Sequence, residues 1–238
     1  IFPMMCSNLL FFSPPQALSD ANRDMSLGLC TSAIMYILSQ EGLNMDLDRD
    51  ALKLMMNLLE SESGVAASSD RASYERNRQK VRELCEEIKA QGKGTHLNVD
   101  SITVGTLAME TLLSLTSKRS GEWFKESLRE LGGLEHIIKT ISDCCQPAME
   151  QCGQGHSIKW THSLLENMQT VERCMRVLEK VTQMSEENQK YLLTYSQGAA
   201  INTLCSLYTM CNRELVQHPG SESASKNSPT NVLLALLI

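Results

Sequence analysis

The sequence predicts an all-α fold, an armadillo/HEAT-like helical repeat solenoid. Three observations favour this class: the composition, the period at which apolar residues recur, and an internal repeat. Aromatic residues make up only 5% of the 238-residue chain, while Met occurs 13 times and Pro six times. Unbranched side chains such as Leu and Met keep their rotamer freedom in a helix, whereas β-branched and aromatic residues favour strands.

Apolar residues recur with the helical period in several segments. The sets are Leu52, Met55, Met56 and Leu59; Val81, Leu84, Cys85 and Ile88; and Leu164, Met168, Val171, Met175, Leu178 and Val181. Each set lies on one face of a predicted helix, and the third predicts a single helix over about 159–183. Mixed charges between Glu75 and Glu87 indicate that the second helix lies at the surface.

Polar caps and glycines predict where the helices begin and end. Predicted N-caps are Asp48, Asp100, Ser120 and Ser185, and predicted exits are Gly42, Gly132, Gly133 and Gly198. Three polar stretches, 61–73, 146–157 and 219–230, are predicted to be loops or disordered linkers.

The chain also contains two related units. Aligning Met109 with Met175 brings Thr116 opposite Thr182, and Gly133 opposite Gly198 after a slip of one residue. In each unit a helix, a short helix, a glycine and a long apolar helix follow in the order of an armadillo unit. A weaker earlier copy is predicted between Leu27 and Leu59. Such units bury their apolar faces by stacking, which favours a protein-binding scaffold.

Charge and cysteine usage exclude several classes of function. The net charge is −6 and the basic residues are scattered, so we expect no direct binding of nucleic acid. The apolar run 1–12 is interrupted by Pro3 and is too short to cross a membrane, so we expect neither signal peptide nor anchor. The nine cysteines are odd in number and mostly follow apolar helical patterns, which predicts reduced core thiols in an intracellular protein.

No motif predicts catalysis, a cofactor or a metal. Cys144, Cys145, Cys152 and His156 offer zinc-ligand chemistry, but six residues separate Cys145 from Cys152, whereas structural zinc sites use two to four. No cysteine or histidine lies in a recognisable nucleophile context, and no phosphate-binding loop occurs. We therefore predict that the chain is not an enzyme. The methionines are interpreted as core residues, with an adaptable binding groove as the alternative.

One link between predicted helices has the features of a partner contact. Its candidate partner-binding residues are Lys118, Arg119, Glu122 and Lys125. A basic pair displayed between two helices can meet an acidic patch, and the Arg guanidinium can bind a carboxylate through two hydrogen bonds. Trp123 and Phe124 belong to the same segment, and the alternative for them is that they dock the short helix onto its neighbours.

Several longer segments resemble the conserved domain of the Wapl (wings apart-like) family over about 18–208. These segments are LCTSAIMYILS (29–39), LNMDLDR (43–49), LAMETLLSLTSKR (107–119), GGL (132–134), ERCMRVLE (172–179) and ENQKYL (187–192). The resemblance implies a HEAT-like solenoid that binds cohesin through its kleisin and HEAT-repeat subunits. It further implies action with a HEAT-repeat co-regulator to release cohesin from chromatin in the nucleus, without catalysis by the chain itself.

The resemblance also organises the chain into four predicted parts. These are an atypical N-terminal segment (1–17), a partial Wapl-like helical repeat domain (18–215), a Ser-rich linker (216–230) and the start of a further helix (231–238). We expect both ends to belong to a longer protein. An alternative function is a general armadillo/HEAT adaptor that binds another protein or an extended peptide.

Overall fold

A computed structural model describes residues 25–41, 49–60, 71–95, 97–117, 122–155, 157–217 and 228–237. All regular elements within these ranges are helices, which confirms the predicted all-α class. In chain order they are α1 (Met25–Glu41), α2 (Arg49–Glu60), α3 (Arg71–Ala90), a 3-10 turn (Val99–Ser101), α4 (Val104–Ser117), α5 (Glu122–Glu130), α6 (Gly133–Gly153), α7 (His162–Thr182), α8 (Glu186–Thr194), a 3-10 turn (Tyr195–Gly198), α9 (Ala199–Gln217) and α10 (Pro229–Leu237).

The helices form two compact units, divided between Leu115 and Thr116. The predicted parts of the chain, with a repeat domain over 18–215, stay a prediction.

In the first unit, α1 packs against α2 and α3. The predicted stripe of α2 is buried throughout, from Leu52 to Leu59. A strap of residues 97–103 then lies along α3, where the Arg78 side chain donates to the Ile102 carbonyl at 2.9 Å and Lys89 donates to the Leu97 carbonyl at 3.2 Å. These bonds satisfy carbonyl oxygens that regular helical hydrogen bonding does not reach.

Tyr36 explains the glycine at position 94. The tyrosine is 1% exposed, and a side chain at Gly94 would fall on its hydroxyl group. Gly94 also has a φ of +58°, in the left-handed region that favours glycine. A buried aromatic on α1 therefore leaves no room for a side chain at this position of the turn after α3.

The second unit is built on α6 and α7, which pack against each other. Helix α9 packs on α6, and α10 packs on both α7 and α9. The short helices α5 and α8 contact each other and close one side of this group. On α7 the predicted apolar stripe is buried except at Met175, which is partly exposed.

The order helix, short helix, long helix occurs twice along the chain, as α4–α5–α6 and α7–α8–α9. Glycines stand between the short and long helices in both copies, and Gly132 and Gly198 have φ values of +80° and +86°. Gly133 is confined as well, because an added Cβ would lie 2.5 Å from the Leu128 Cδ1 atom. The predicted positions of Gly132 and Gly198 are therefore confirmed, whereas Gly133 begins α6.

Some predicted boundaries were wrong. Asp100 lies inside the first 3-10 turn, whose N-cap is Asn98. The predicted N-cap Ser185 is confirmed for α8, although its side chain makes no capping hydrogen bond. The stretch 146–157 is not a loop at its start, since α6 continues through Pro147 to Gly153. Burial of Cys145 and Ala148 against the neighbouring helices outweighs the one helical hydrogen bond that Pro147 removes.

Other helices also extend into stretches that were predicted to be loops or linkers. Helix α3 already includes 71–73, α9 reaches Gln217 and α10 begins at Pro229, so the predicted loops are shorter. Leu84 is 45% exposed, although the stripe placed it inside. Asp48, Gly42 and Ser120 lie outside the described residues.

The cysteines and methionines mostly follow the core interpretation. Cys85, Cys145, Cys174 and Cys211 are each 1% exposed or less. Six methionines are buried as well: Met35, Met55, Met56, Met109, Met168 and Met210. Cys205 is exposed and Met184 is 85% exposed, so the interpretation does not extend to them. Three further cysteines are only partly buried: Cys30, Cys144 and Cys152.

Candidate protein-interaction surface

The predicted contact segment is described only in part. Lys118 and Arg119 lie outside the described residues, and Glu122 begins α5 with a side chain that also lies outside them. Lys125 is described, and its Nζ atom donates to the Gln183 carbonyl at 2.6 Å. Partner binding by these four residues therefore stays a prediction, while Lys125 has a defined role inside the second unit.

Asn188, on α8, is hydrogen-bonded to both α5 and α7 close to the contact between Lys125 and Gln183. Its side chain is 0% exposed. The amide group donates to the Val181 carbonyl at 2.9 Å and to the Lys125 carbonyl at 3.2 Å, and its oxygen accepts from Arg129 at 2.8 Å. One buried amide on α8 thus joins the end of α7 to α5, with all its hydrogen-bonding groups used.

The C-terminal end of α7 is capped by side chains from both short helices. The last carbonyls of a helix lack partners within the helix, and the partial negative charge there favours cations. Asn188 binds the Val181 carbonyl, Gln189 donates to the Thr182 carbonyl at 2.9 Å, and Lys125 supplies a positive charge to the Gln183 carbonyl. This junction fixes α5 and α8 relative to α7.

The junction was missed by sequence reasoning. Asn188 lies four residues before Leu192, on the face of α8 that a repeat alignment assigns to the interior. A polar residue in that register is the signal that could have identified it, because a buried amide requires partners.

Two aromatic neighbours on α5 have different environments. Phe124 is 1% exposed, which confirms that it docks the short helix, whereas Trp123 is 46% exposed. Met184 follows the carbonyl that Lys125 binds and has a left-handed φ of +57°. Large apolar side chains at exposed positions mark surfaces that proteins use to bind partners, and tryptophan is enriched at binding hot spots. Trp123, which the sequence analysis placed in the contact segment, is therefore a candidate contact residue. Met184 is a second candidate, which the sequence did not single out.

The buried thiols have chemistry suited to a core. Burial raises the pKa of Cys85 and Cys145 to about 11 and that of Cys211 to about 12. Such thiols stay protonated near neutral pH, and the nucleophile in thiol chemistry is the thiolate. Within the described ranges no three His, Cys, Asp or Glu side chains come together as a metal site would require. His156, from the zinc set considered above, lies outside these ranges.

Helices long and apolar enough to span a membrane are not found in the part of the chain that the structure describes.

Comparison with known proteins places the chain in a family. A family model described as "Wings apart-like protein regulation of heterochromatin" matches residues 15–233. The chain is 66% identical to the Drosophila melanogaster protein wings apart-like over 94% of its length, and 39% identical to the human wings apart-like protein homolog over 88%. It spans 13% and 17%, respectively, of the lengths of these relatives. With a family model that covers most of its residues, and with helices along the matched region, this chain belongs to the wings apart-like family.

Proposed function

We propose that this chain is a non-catalytic protein-interaction scaffold, part of a wings apart-like regulator that binds cohesin and promotes its release from chromatin. Membership of the family is the observation that carries the proposal. The family resemblance implies contacts with the kleisin and HEAT-repeat subunits of cohesin, together with a HEAT-repeat co-regulator. If these contacts are made, the protein acts on chromatin in the nucleus.

The helical architecture supports a binding role in physical terms. Two consecutive sets of long, short and long helices give the chain a repetitive framework of the kind found in armadillo/HEAT solenoids, which bind partners along extended surfaces. A binder of this kind can promote release only if it has different affinities for the closed and open states of its partner. Release is then a shift in population, and ATP hydrolysis by the partner needs no catalytic group on this chain.

We assign the contact to the segment before and along α5. Lys118 and Arg119 supply positive charge, Glu122 and Lys125 continue the polar segment, and Trp123 adds an exposed aromatic surface. Lys125 is attached to the end of α7, so α5 is fixed before a partner arrives. A fixed contact surface loses less conformational entropy on binding than a mobile one.

The test is a binding measurement with purified cohesin subunits. The variant Lys118→Glu/Arg119→Glu should bind at least about tenfold more weakly, because charge reversal at an interface causes like-charge repulsion. We expect both side chains at the surface, as is usual for Lys and Arg, and ion pairs there contribute about 0–1 kcal/mol. The melting temperature of the variant should therefore stay within a few degrees of that of the unmodified chain.

A matched control is Lys139→Glu/Lys190→Glu, which changes the net charge equally at two exposed positions on α6 and α8. Equal weakening by both double variants would show a general charge effect and refute the assignment. Normal binding by Lys118→Glu/Arg119→Glu would make the segment a structural link only.

The alternative function is a general armadillo/HEAT adaptor for another protein or extended peptide. It predicts no measurable binding of kleisin or HEAT-repeat cohesin subunits at micromolar concentrations, with the helical fold intact. Capture of cohesin from a nuclear extract by the unmodified chain, lost in the Lys118→Glu/Arg119→Glu variant, would favour the cohesin regulator over the adaptor.

A further inference from the structure

A line of four charges runs along the exposed side of α3. Arg76 and Lys80 lie toward the start of the helix and Glu83 and Glu87 toward its end, and all four are exposed. Their spacing of four, three and four residues places them in one line on a single face of the helix. We call these four residues the α3 stripe.

The α3 stripe is unmatched within its own helix. Arg82, on the flank, pairs with Glu86 at 3.2 Å and with Asp100 at 2.5 Å, and Arg78 pairs with Glu75 at 3.6 Å. None of the four stripe residues has an ion-pair partner within 4 Å among the described residues. Glu83 accepts only a hydrogen bond from Gln79 at 3.1 Å, and Arg76 donates only to the Ala72 carbonyl at 3.3 Å.

The order of these charges is also unfavourable for an isolated helix. Arg76 and Lys80 are like charges four residues apart, as are Glu83 and Glu87, and each such pair repels. Glu87 lies in the last turn of α3, where the helix dipole disfavours a negative charge. Apart from the opposite charges of Lys80 and Glu83, which are three residues apart, this order gains little within the helix. A surface of complementary charge would make it favourable.

The stripe is complementary to itself when reversed. In an antiparallel pair of α3 helices centred between Val81 and Arg82, Arg76 of one copy faces Glu87 of the other, and Lys80 faces Glu83. A two-fold axis repeats both contacts, as in an isologous interface. At the ends of the same register the small residues Ser73 and Ala90 face each other, which allows the helices to approach.

This reversal symmetry favours a second copy over other partners. A uniformly acidic or basic protein surface would match one half of the stripe and repel the other half. The phosphate backbone of a nucleic acid would be repelled by Glu83 and Glu87. Leu84, which is 45% exposed beside the stripe, faces Gln79 of the second copy and adds apolar contact.

We propose that the α3 stripe is a self-association surface through which two copies of this chain pair their α3 helices antiparallel. Because the contact consists mainly of exposed charges, the dimer is weak and sensitive to salt. This inference is independent of cohesin binding, which is assigned to the segment along α5.

Sedimentation equilibrium of the full chain tests the proposal. At about 50 mM salt we expect a monomer–dimer equilibrium, which shifts toward monomer at about 0.5 M because the Debye length falls well below 10 Å. A chain that stays monomeric at low salt up to the highest soluble concentration would overturn the proposal.

Charge-swapped variants then locate the surface. Arg76→Glu/Lys80→Glu and Glu83→Lys/Glu87→Lys should each self-associate at least about tenfold more weakly, which corresponds to about 1.4 kcal/mol. An equimolar mixture of the two should form a heterodimer, since one then carries only acidic and the other only basic stripe residues.

The variant with all four changes should recover the homodimer, which guards against misfolding as the cause of any loss. The matched control is Lys139→Glu/Lys159→Glu, at two exposed positions of the second unit, and it should associate normally. Dimerisation that is unchanged in both stripe variants would place the contact elsewhere and overturn the proposal. Failure of the two variants to associate when mixed would also overturn the proposal.

Discussion

Replacing Asn188 by alanine should destabilise the second unit far more than its size suggests. The substitution removes hydrogen bonds of 2.8, 2.9 and 3.2 Å to Arg129, Val181 and Lys125. Arg129 is partly exposed and can turn to water, but the Val181 carbonyl lies in a buried bond. An unsatisfied buried group costs about 1–3 kcal/mol and each ordinary hydrogen bond contributes about 1 kcal/mol, so the expected loss is about 2–4 kcal/mol.

The assay is urea unfolding followed by circular dichroism, with the midpoint and slope compared between variants. Gln189→Ala is the matched control, because Gln189 also donates to a carbonyl at the end of α7, at 2.9 Å, but is exposed. It should cost less than about 1 kcal/mol, since water replaces its hydrogen bond. Equal losses in the two variants would refute the reasoning that burial of Asn188 makes its contacts important.

Three further predictions concern other buried positions. Gly133→Ala should cost about 1–3 kcal/mol, because its Cβ would lie 2.9 Å from the Leu128 carbonyl oxygen, whereas Gly153→Ala has open space and should melt normally. The pKa of Cys211 is raised by burial from 9.0 to about 12, so its neutral thiol stabilises the fold fully below pH 9. That contribution is lost as pH rises from 9 toward 12, and urea midpoints of Cys211→Ala should fall less steeply over this range. Glu214 is 1% exposed with neither carboxylate oxygen hydrogen-bonded within the described structure, so Glu214→Met should raise the unfolding free energy by about 1–4 kcal/mol; a decrease would contradict this.

Effects on stability and effects on partner binding can be measured separately for these positions. Asn188 and Gly133 act on the framework that supports α5, so their substitution should reduce binding only to the extent that it unfolds the second unit. Trp123 is exposed and contributes little to that framework. Trp123→Ala should leave the urea midpoint nearly unchanged while weakening cohesin binding, if α5 carries the contact. Loss of stability in this variant would instead indicate a packing role.

The sequence alone determined the order of the helices and the positions of their glycine corners. Helical hydrogen bonds join residues four apart, so the period of Leu164, Met168 and Val171 contains most of what is needed to predict α7. The left-handed conformation at Gly132 and Gly198 is likewise a local requirement that few other residues meet. Long matching segments such as 107–119 also identified the family, because such runs are specific without any knowledge of the structure.

Only the tertiary structure decided which side chains are buried, which are exposed, and which polar groups bond to each other. Leu84 follows the apolar period of α3 but is 45% exposed, and Pro147 lies within α6 although a local reading ends the helix before it. Asn188 and Lys125 have ordinary positions in the sequence. Lys125 nevertheless bonds to Gln183, and Asn188 bonds to Lys125, across about 60 residues of chain. Periodicity reports the environment averaged along one helix, whereas the burial of a single side chain depends on which other helix covers it.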